Sequence, residues 1–371
     1  MKQTQSFIST YSADVFGVCS ALFELGGMTV MHDASGCNST YNTHDEPRWY
    51  DQDSLVFLSG LTEMEAILGD DEKLIGDMVE AARQLNPRFV ALAGTPIPMM
   101  TGCDLRSIAM AVENETGIPS FGFDTNGMQS YVWGAGEALA AYARRMVERN
   151  VPKIPHSVNI LGCTPTDFSV NGAVEAMVQG LTEGSWQVIG TWAMGSTPEQ
   201  LAKAGSASVN LVVSAVGMKT AQFLKQTFGT PYVVGTPYHM AGILELLEKT
   251  EADGLDRCLF GDYEAPADCR SFILGESVTA RSLAFALHEK YGKDFRVICP
   301  VDTFAGILSP SDSDCRDEEE IQKLLEGAGE VIADPLYRPI LPRGCTLHEL
   351  PHEAFSGRLF RKRIPNLIHY F

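Results

Sequence analysis

The sequence lacks the features of a membrane, secreted or nucleic-acid-binding protein. No apolar run approaches the roughly 20 residues that a membrane-spanning helix needs, and the opening MKQTQSFISTYSADVFG has no apolar core before a small-residue cleavage site. No basic stripe is present either: 28 Lys and Arg stand against 47 Asp and Glu, for a formal net charge of -19. This balance argues against nucleic acid or an acidic membrane as a partner. We therefore expect a cytoplasmic protein.

The common nucleotide and hydrolase signatures are also missing. No G-x-G-x-x-G opens a helix and no G-x-x-x-x-G-K-[ST] occurs, so we expect the chain neither to bind a dinucleotide in the usual manner nor to hydrolyse ATP itself. No G-x-S-x-G is present, which leaves nucleophilic hydrolysis without support.

Cysteine is present, but not in the patterns of a disulfide framework or a zinc knuckle. The nine cysteines are widely spaced and none forms a C-x-x-C pair, which weakens a zinc assignment. In a reducing compartment disulfides are not expected, so each thiol is either a small core residue or a ligand.

Short apolar runs alternate with amphipathic helices along the whole chain. "RFVALAG" (88–94) is typical of a buried strand, and "DDEKLIGDMVEAARQL" (70–85) has apolar residues at helical spacing. Three such cycles predict an α/β fold with three Rossmann-like domains, whose parallel sheets are covered by helices. The predicted domains are residues 1–150, 157–268 and 269–371, with a linker at 151–156.

The stretch "MHDASGCNST" (31–40) places a thiol on a glycine turn after an apolar run. Ligands of parallel sheets gather beyond the carboxyl ends of the strands. Cys37 follows this run, Cys103 follows the next predicted strand, and we expect Cys19 at a loop end of the same unit. Thiolates in such places suit a soft metal or an iron–sulfur cluster. The alternative is three unrelated cysteines in turns of small residues.

Other chemically interesting residues have plain structural explanations. His32 is close to Cys37 in sequence, but it is equally a strand-end histidine that donates to a carbonyl. His239 either faces a cavity between domains or is a surface or hydrogen-bonded residue. The basic cluster at 358–363 is expected to solvate a terminal helix or to pair with acidic neighbours rather than to bind phosphate. The thiols assigned to the core or to loops are Cys163, Cys258, Cys269, Cys299 and Cys345.

Four segments together resemble the nitrogenase component 1 family. They are "VMHDASGCNSTY", "SGLTEMEAILGDDEKLIGDMVEAARQLNPRFVALAGTPIPMMTGCDLRSIA", "VNILGCTPTDFSVNGAVEAMVQGL" and "FILGESVTARSLAFALHEKYG". The family includes catalytic nitrogenase subunits, cofactor-assembly scaffolds and tetrapyrrole reductases. The resemblance implies three Rossmann-like domains, a dimeric or α₂β₂ assembly, a cluster near the subunit interface, and a separate ATP-hydrolysing iron protein that donates low-potential electrons.

The resemblance also implies cluster ligands. Cys19 resembles the first ligand and Cys37 the second. Where the family commonly has a third cysteine, this chain has Thr95-Pro96, and Cys103 stands further along. Either Cys103 has taken that role, or each chain supplies two thiolates, which in a symmetric dimer are enough for one [4Fe–4S] cluster.

A second departure concerns the metal cofactor of the catalytic subunits. Their cofactor-binding cysteine follows the strand that here reads "ASVNLVVS" (207–214), and the matching position is Ser214, whose hydroxyl is a poor ligand for a soft metal. The chain is therefore closer to β-type or reductase-like subunits than to a catalytic α subunit.

The expected function follows from this resemblance. We expect an oxidoreductase component that binds an iron–sulfur cluster near a subunit interface and relays electrons from the iron protein to a reducible substrate. The alternative is a non-catalytic scaffold for the assembly of a metallocluster or tetrapyrrole cofactor. The expected partner is a second copy or an α-type subunit, and the resemblance assigns no catalytic residue.

Overall fold

The computed structural model describes residues 12–34, 36, 46–368 and 370, so Cys37 lies outside the described residues. The first of its three sheets has the order β2-β1-β3-β4, and all its strands are parallel. These strands are β1 (Met28–His32), β2 (Leu55–Leu58), β3 (Val90–Gly94) and β4 (Ser120–Phe123).

The second and third sheets are also parallel and have five strands each. The second, in the order β6-β5-β7-β8-β9, consists of β5 (Ile154–Leu161), β6 (Gln187–Thr191), β7 (Ala207–Val212), β8 (Tyr232–Val234) and β9 (Arg257–Cys258). The third, in the order β12-β11-β10-β13-β14, consists of β10 (Ser271–Leu274), β11 (Arg296–Cys299), β12 (Ser313–Asp314), β13 (Glu330–Ala333) and β14 (Thr346–Glu349).

Each sheet and the helices that connect its strands form one unit, and the three units follow one another along the chain. In the first unit the helices are α1 (Asp14–Leu22), α2 (Glu63–Leu68), α3 (Asp71–Leu85), α4 (Pro96–Thr101), α5 (Leu105–Thr116) and α6 (Tyr131–Met146). In the second they are α7 (Pro165–Phe168), α8 (Ala173–Glu183), α9 (Pro198–Ala202), α10 (Met218–Phe228) and α11 (Met240–Asp253). In the third they are α12 (Ser277–Tyr291), α13 (Glu318–Leu324) and α14 (Glu353–Ser356). None of the described helices is long and apolar enough to cross a membrane.

The predicted α/β class, with three parallel sheets covered by helices, is confirmed. The strand predicted at 88–94 is β3, and the helix predicted at 70–85 is α3. The linker expected at 151–156 is too long, because β5 already begins at Ile154, whose backbone pairs with Ala207 of β7.

The two faces of the first sheet are covered by different helices. Side chains of successive strand residues point to opposite faces. Ala91 and Ala93 of β3 belong to the buried cluster that includes α1 and α6, whereas Val90 and Leu92 belong to the cluster that includes α3 and α5. This division decides where the candidate thiols of the first unit lie.

Helices α1 and α6 pack at a distance that only glycine permits. A Cβ on Gly134 of α6 would lie 1.9 Å from the Asp14 carbonyl oxygen, and one on Gly17 of α1 would lie 2.3 Å from the Tyr131 carbonyl oxygen. The backbones therefore touch directly, which fixes the start of α6 against the start of α1.

A buried arginine connects the first unit to the second. The Arg48 guanidinium donates to Glu46 Oε1 (2.6 Å), to Glu24 Oε1 (2.9 Å) and to the Ala193 carbonyl (3.0 Å) in the loop after β6. The Arg48 side chain is only 3% exposed and that of Glu46 is fully buried. Because these charges are out of water, leaving either Arg48 or Glu46 without its partner would cost several kcal/mol, about 3–5.

Candidate functional site

The carboxyl ends of the central strands in the second and third sheets meet at the start of α6. Beyond β7, the Ser214 hydroxyl donates to the Gly162 carbonyl, which follows β5, at 2.9 Å. The next backbone N–H, of Ala215, donates to Glu276 Oε1, which follows β10, at 3.1 Å. Because ligands of parallel α/β folds bind beyond carboxyl ends, this junction is the candidate functional site.

Asp167 of α7 connects the first unit to the second at this junction. Its carboxylate is fully buried and accepts hydrogen bonds from the Tyr131 hydroxyl and, at 2.8 Å, from the Thr164 hydroxyl. Burial, followed by the charge of Asp167, raises the pKa of Tyr131 well above its ordinary value. Tyr131 therefore remains a neutral hydrogen-bond donor.

Glu276 supplies the second buried carboxyl group. It is the N-cap of α12, where its oxygens accept from the backbone N–H groups of Val278 (2.9 Å) and Thr279 (3.0 Å). Burial raises its pKa, and the nearby charge of Asp167 raises it further, while the backbone hydrogen bonds oppose this shift. Within the described chain, neither Glu276 nor Asp167 forms an ion pair with Lys or Arg.

His352 completes the group from the third unit. Its Nδ1 accepts the backbone N–H of Ala354 (3.2 Å), so in the neutral ring the proton is on Nε2, which lies 3.6 Å from Asp167 Oδ1. A cavity of about 60 Å³ lies beside these groups and is also lined by Tyr238 and Thr279. This volume exceeds the roughly 10–15 Å³ that one water needs.

The arrangement can hold and share protons through its carboxyl, phenol and imidazole groups. Two buried thiols, Cys163 and Cys299, lie near it: burial raises the pKa of each, and the charges of Asp167 and Glu276, respectively, raise it further. No motif in the sequence had pointed to Tyr131, Asp167, Glu276 or His352 as site residues. A weaker signal was available, because "ILG" ends an apolar run at both 160–162 and 273–275, shortly before Asp167 and Glu276.

The expected position of Cys19 at a loop end is wrong. Cys19 lies within α1 and is fully buried among apolar side chains, because α1 packs this face on the first sheet. Burial, followed by the charge of Glu46, raises the pKa of the Cys19 thiol. The thiol is therefore protonated in the folded chain.

Cys103 follows α4 and lies on the other face of the sheet. It packs against the cluster of Val90 and Leu92, and its Sγ is 3.8 Å from Asp71 Oδ1. Burial and then the charge of Asp71 raise the pKa of Cys103 to about 12. The structure thus does not bring Cys19 and Cys103 together.

Cys37, the third predicted ligand, is outside the described residues. In the described part of the chain, no three His, Cys, Asp or Glu side chains converge in a way that could hold a metal ion. The described thiols alone do not fit a shared iron–sulfur cluster, and the ligand assignment of Cys19, Cys37 and Cys103 remains a prediction.

The other candidates have structural partners. His32, at the end of β1, is buried, and its Nδ1 lies 2.8 Å from the Ser59 hydroxyl; burial lowers its pKa. His239 caps α11 by accepting the Gly242 N–H at 3.1 Å, which confirms the hydrogen-bonded interpretation. In the basic cluster, Arg361 pairs with Glu353 and Arg363 pairs with Glu349, so the expected acidic partners are confirmed.

A family model described as "Nitrogenase component 1 type Oxidoreductase" matches residues 15–252. Curated relatives include two proteins named "Nitrogenase iron-molybdenum cofactor biosynthesis protein NifE". The one from Methanosarcina barkeri is 24% identical over 208 residues, covering 52% of this chain and 44% of the relative. The one from Klebsiella pneumoniae is 23% identical over 240 residues, covering 61% and 50%. The chain thus spans about half the length of the curated relatives it matches.

Two solved structures share the fold. "Nitrogenase Cp1 at pH 6.5" has a TM-score of 0.68 at 16% identity, with 99% of this chain and 94% of that chain covered. "Nitrogenase Cp1 at pH 5" has a TM-score of 0.65 at 14% identity, with 100% and 88% covered. At these identities the likeness concerns the fold alone.

Proposed function

We propose that this chain, which belongs to the nitrogenase component 1 type oxidoreductase family, is a scaffold. It holds a metallocluster and transfers it to another protein during cofactor assembly. The names of the curated relatives, which refer to cofactor biosynthesis, support this function over the electron relay that the sequence also suggested. A scaffold holds the metallocluster only until it is transferred. It therefore needs no permanent ligand for a resident catalytic cofactor.

The observation that carries the proposal is the environment of Ser214. This is the position at which the family resemblance places the cofactor-binding cysteine of catalytic subunits. Ser214 is fully buried, and its hydroxyl is engaged with the Gly162 carbonyl at 2.9 Å. The adjacent Ala215 N–H is engaged with Glu276. A position without a thiol, whose hydroxyl already has a partner, suits a protein that does not retain a catalytic cofactor there.

The thiol that we propose as the contact with the cargo is Cys37. The Cys19 thiol is enclosed in the apolar core, and the Cys103 thiol packs on the opposite face of the first sheet beside Asp71, so these two thiols cannot bind one cluster together. A cluster held by Cys37 would take its remaining ligands from a partner, either a second copy or an α-type subunit.

The first experiment is anaerobic purification with iron and sulfide analysis and electron paramagnetic resonance of the dithionite-reduced protein. We expect the wild type to carry iron, Cys37→Ala to lose it, and Cys19→Ala, Cys103→Ala and Ser214→Ala to retain it. Loss of iron in Cys103→Ala, with the fold intact by circular dichroism, would add Cys103 to the ligands.

A second experiment separates the scaffold from the electron relay. The iron-loaded chain is mixed with a cluster-free acceptor of the same family, and in parallel with a reduced iron protein and ATP. A scaffold transfers iron to the acceptor and does not oxidise the iron protein. ATP-dependent oxidation of the iron protein, without iron transfer, would favour the relay. A wild type that is iron-free both alone and when co-expressed with an α-type subunit would overturn both functions.

A further inference from the structure

The outer edge of β4 lies at the bottom of an open groove. The groove has a volume of about 630 Å³, within the range of ligand sites, and its walls are formed by α5 and α6. Residues from α5 include Arg106 and Met110, and those from α6 include Trp133 and Arg144. Residues 120–123 of β4 line the groove between these walls.

The backbone of this edge has hydrogen-bonding groups available at Gly122, whereas the Ser120 N–H already donates to Glu113 Oε2 at 2.9 Å. The Val90 N–H donates to the Pro119 carbonyl at 2.9 Å, and Val90 is paired with Ser120. In a parallel ladder this register directs the N–H and C=O of Phe121 toward β3 and those of Gly122 toward the groove. No strand in the described part of the chain pairs with this edge.

The other two sheets show what can occupy such an edge. In the second sheet the short strand β9 pairs with β8, and in the third β14 pairs with β13. The first sheet ends at β4 and has four strands where the others have five. The position for an additional strand is therefore open in the described first unit.

The charged residues of the groove indicate which side chains a bound strand should carry. Three pairs neutralise each other: Arg106 with Asp124 (2.7 Å), Arg145 with Glu113 (2.7 Å), and Lys219 with Glu137 (2.6 Å). Arg144 forms no ion pair within the described residues, so its positive charge in the groove is not neutralised, because Lys219, from outside the groove lining, already pairs with Glu137. On the opposite wall Met110 is 61% exposed.

We infer that this groove, formed by α5, β4 and α6, binds an extended segment of a partner protein by adding it to the first sheet as a fifth strand. Alternate side chains of a strand point to opposite sides. Acidic side chains of the segment face Arg144 on α6, and apolar side chains pack against Met110 on α5. Backbone hydrogen bonds to Gly122 give affinity, while the two walls give specificity. Because α5 and α6 stand on both sides of the β4 edge, a single extended segment can enter the groove. The same edge of a second copy lies between its own two helices and cannot reach it.

The test uses the peptide acetyl-Val-Glu-Val-Glu-Val-amide, titrated into the full chain and followed by calorimetry. We expect it to bind, and the same peptide with N-methylated backbone nitrogens to bind about tenfold more weakly, because the ladder hydrogen bonds are lost. Replacing both glutamates of the peptide by lysine should also weaken its binding about tenfold.

Protein variants locate the binding site. Arg144→Glu should weaken the glutamate peptide about tenfold, while Arg83→Glu, the same charge change on exposed α3 outside the groove, should leave its affinity within a factor of two. Equal effects of the two variants, no effect of N-methylation, or no binding at all would overturn the proposal. Self-association by analytical ultracentrifugation that is lost only in Arg144→Glu would assign the groove to a second copy and would also overturn it. None of these outcomes depends on iron binding, so the scaffold proposal is tested separately.

Discussion

The carboxylate of Glu276, at the start of α12 in the third unit, accepts a 3.1 Å hydrogen bond from the Ala215 N–H in the second unit. Three further donors, the Ser277 hydroxyl and the N–H groups of Val278 and Thr279, engage the same carboxylate. One buried side chain thus caps a helix and joins two units. Its raised pKa has a measurable consequence for stability.

Glu276→Gln should change how stability depends on pH. A carboxyl group whose pKa is higher in the folded than in the unfolded state favours folding while it is protonated, and this contribution is lost as pH rises from its ordinary value of 4.5 through the folded value. The glutamine amide does not titrate but places an NH₂ group against a backbone donor, which costs about 1 kcal/mol. We expect the variant to be less stable than wild type near pH 5 and the gap to narrow toward pH 8. Urea unfolding at both pH values measures this, and a gap that widens with pH would contradict it.

Arg48→Met should destabilise the folded chain by about 3–5 kcal/mol, because the buried Glu46 loses the partner at 2.6 Å that compensates its charge. The matched control is Arg83→Met. Arg83 is largely exposed and lies 3.9 Å from Glu115, so its loss should change stability by less than about 0.5 kcal/mol. Urea denaturation compares the two variants, and equal losses would mean that the Arg48 network contributes nothing beyond a surface pair.

Gly134→Ala and Gly76→Ala should have opposite effects. A Cβ at Gly134 would lie 1.9 Å from the Asp14 carbonyl oxygen, so the two helices must separate, and we expect a loss of more than about 3 kcal/mol or no soluble protein. Gly76, inside α3, has no atom within 4 Å of the added Cβ, so alanine should stabilise by about 0.5–1 kcal/mol through its higher helix propensity. Thermal unfolding of both variants checks the contrast. A mild effect at Gly134 would show that α1 and α6 are less closely packed than described.

Asp71→Asn should accelerate alkylation of Cys103. Burial is the main reason that the pKa of this thiol is raised to about 12, and the charge of Asp71 is the second. Removing that charge lowers the pKa, so more thiolate is present at pH 8 and the reaction with iodoacetamide is faster. Mass spectrometry of the peptide that contains Cys103 gives the rate, with the peptide that contains Cys345 as the internal reference. An unchanged rate at Cys103 would mean that access, rather than the charge of Asp71, limits the reaction.

The alternation of apolar runs and amphipathic helices was sufficient to predict the fold class. Burial of a parallel sheet on both faces requires strands such as β3, with the fully buried sequence VALAG, and helices with one apolar face such as α3. Local hydrogen bonding also depends on near neighbours in the sequence: Thr197 and Gln200, three residues apart, form a capping box at the start of α9. These features depend on neighbours in the chain and need no knowledge of distant contacts.

The site depended on contacts that no local pattern encodes. Tyr131, Asp167, Glu276 and His352 come from four distant segments, and only the packing of three units brings them to one junction. For the candidate thiols, the tertiary structure separates what the sequence suggested would lie together. Cys19 and Cys103 share one unit and suggested one cluster, yet the sheet between them separates their side chains. Sequence alone determined the elements and their order, because those follow from burial periodicity. Which side chains face each other was decided by the tertiary structure, because a strand displays alternate residues on opposite faces and helix packing selects the face that each thiol occupies.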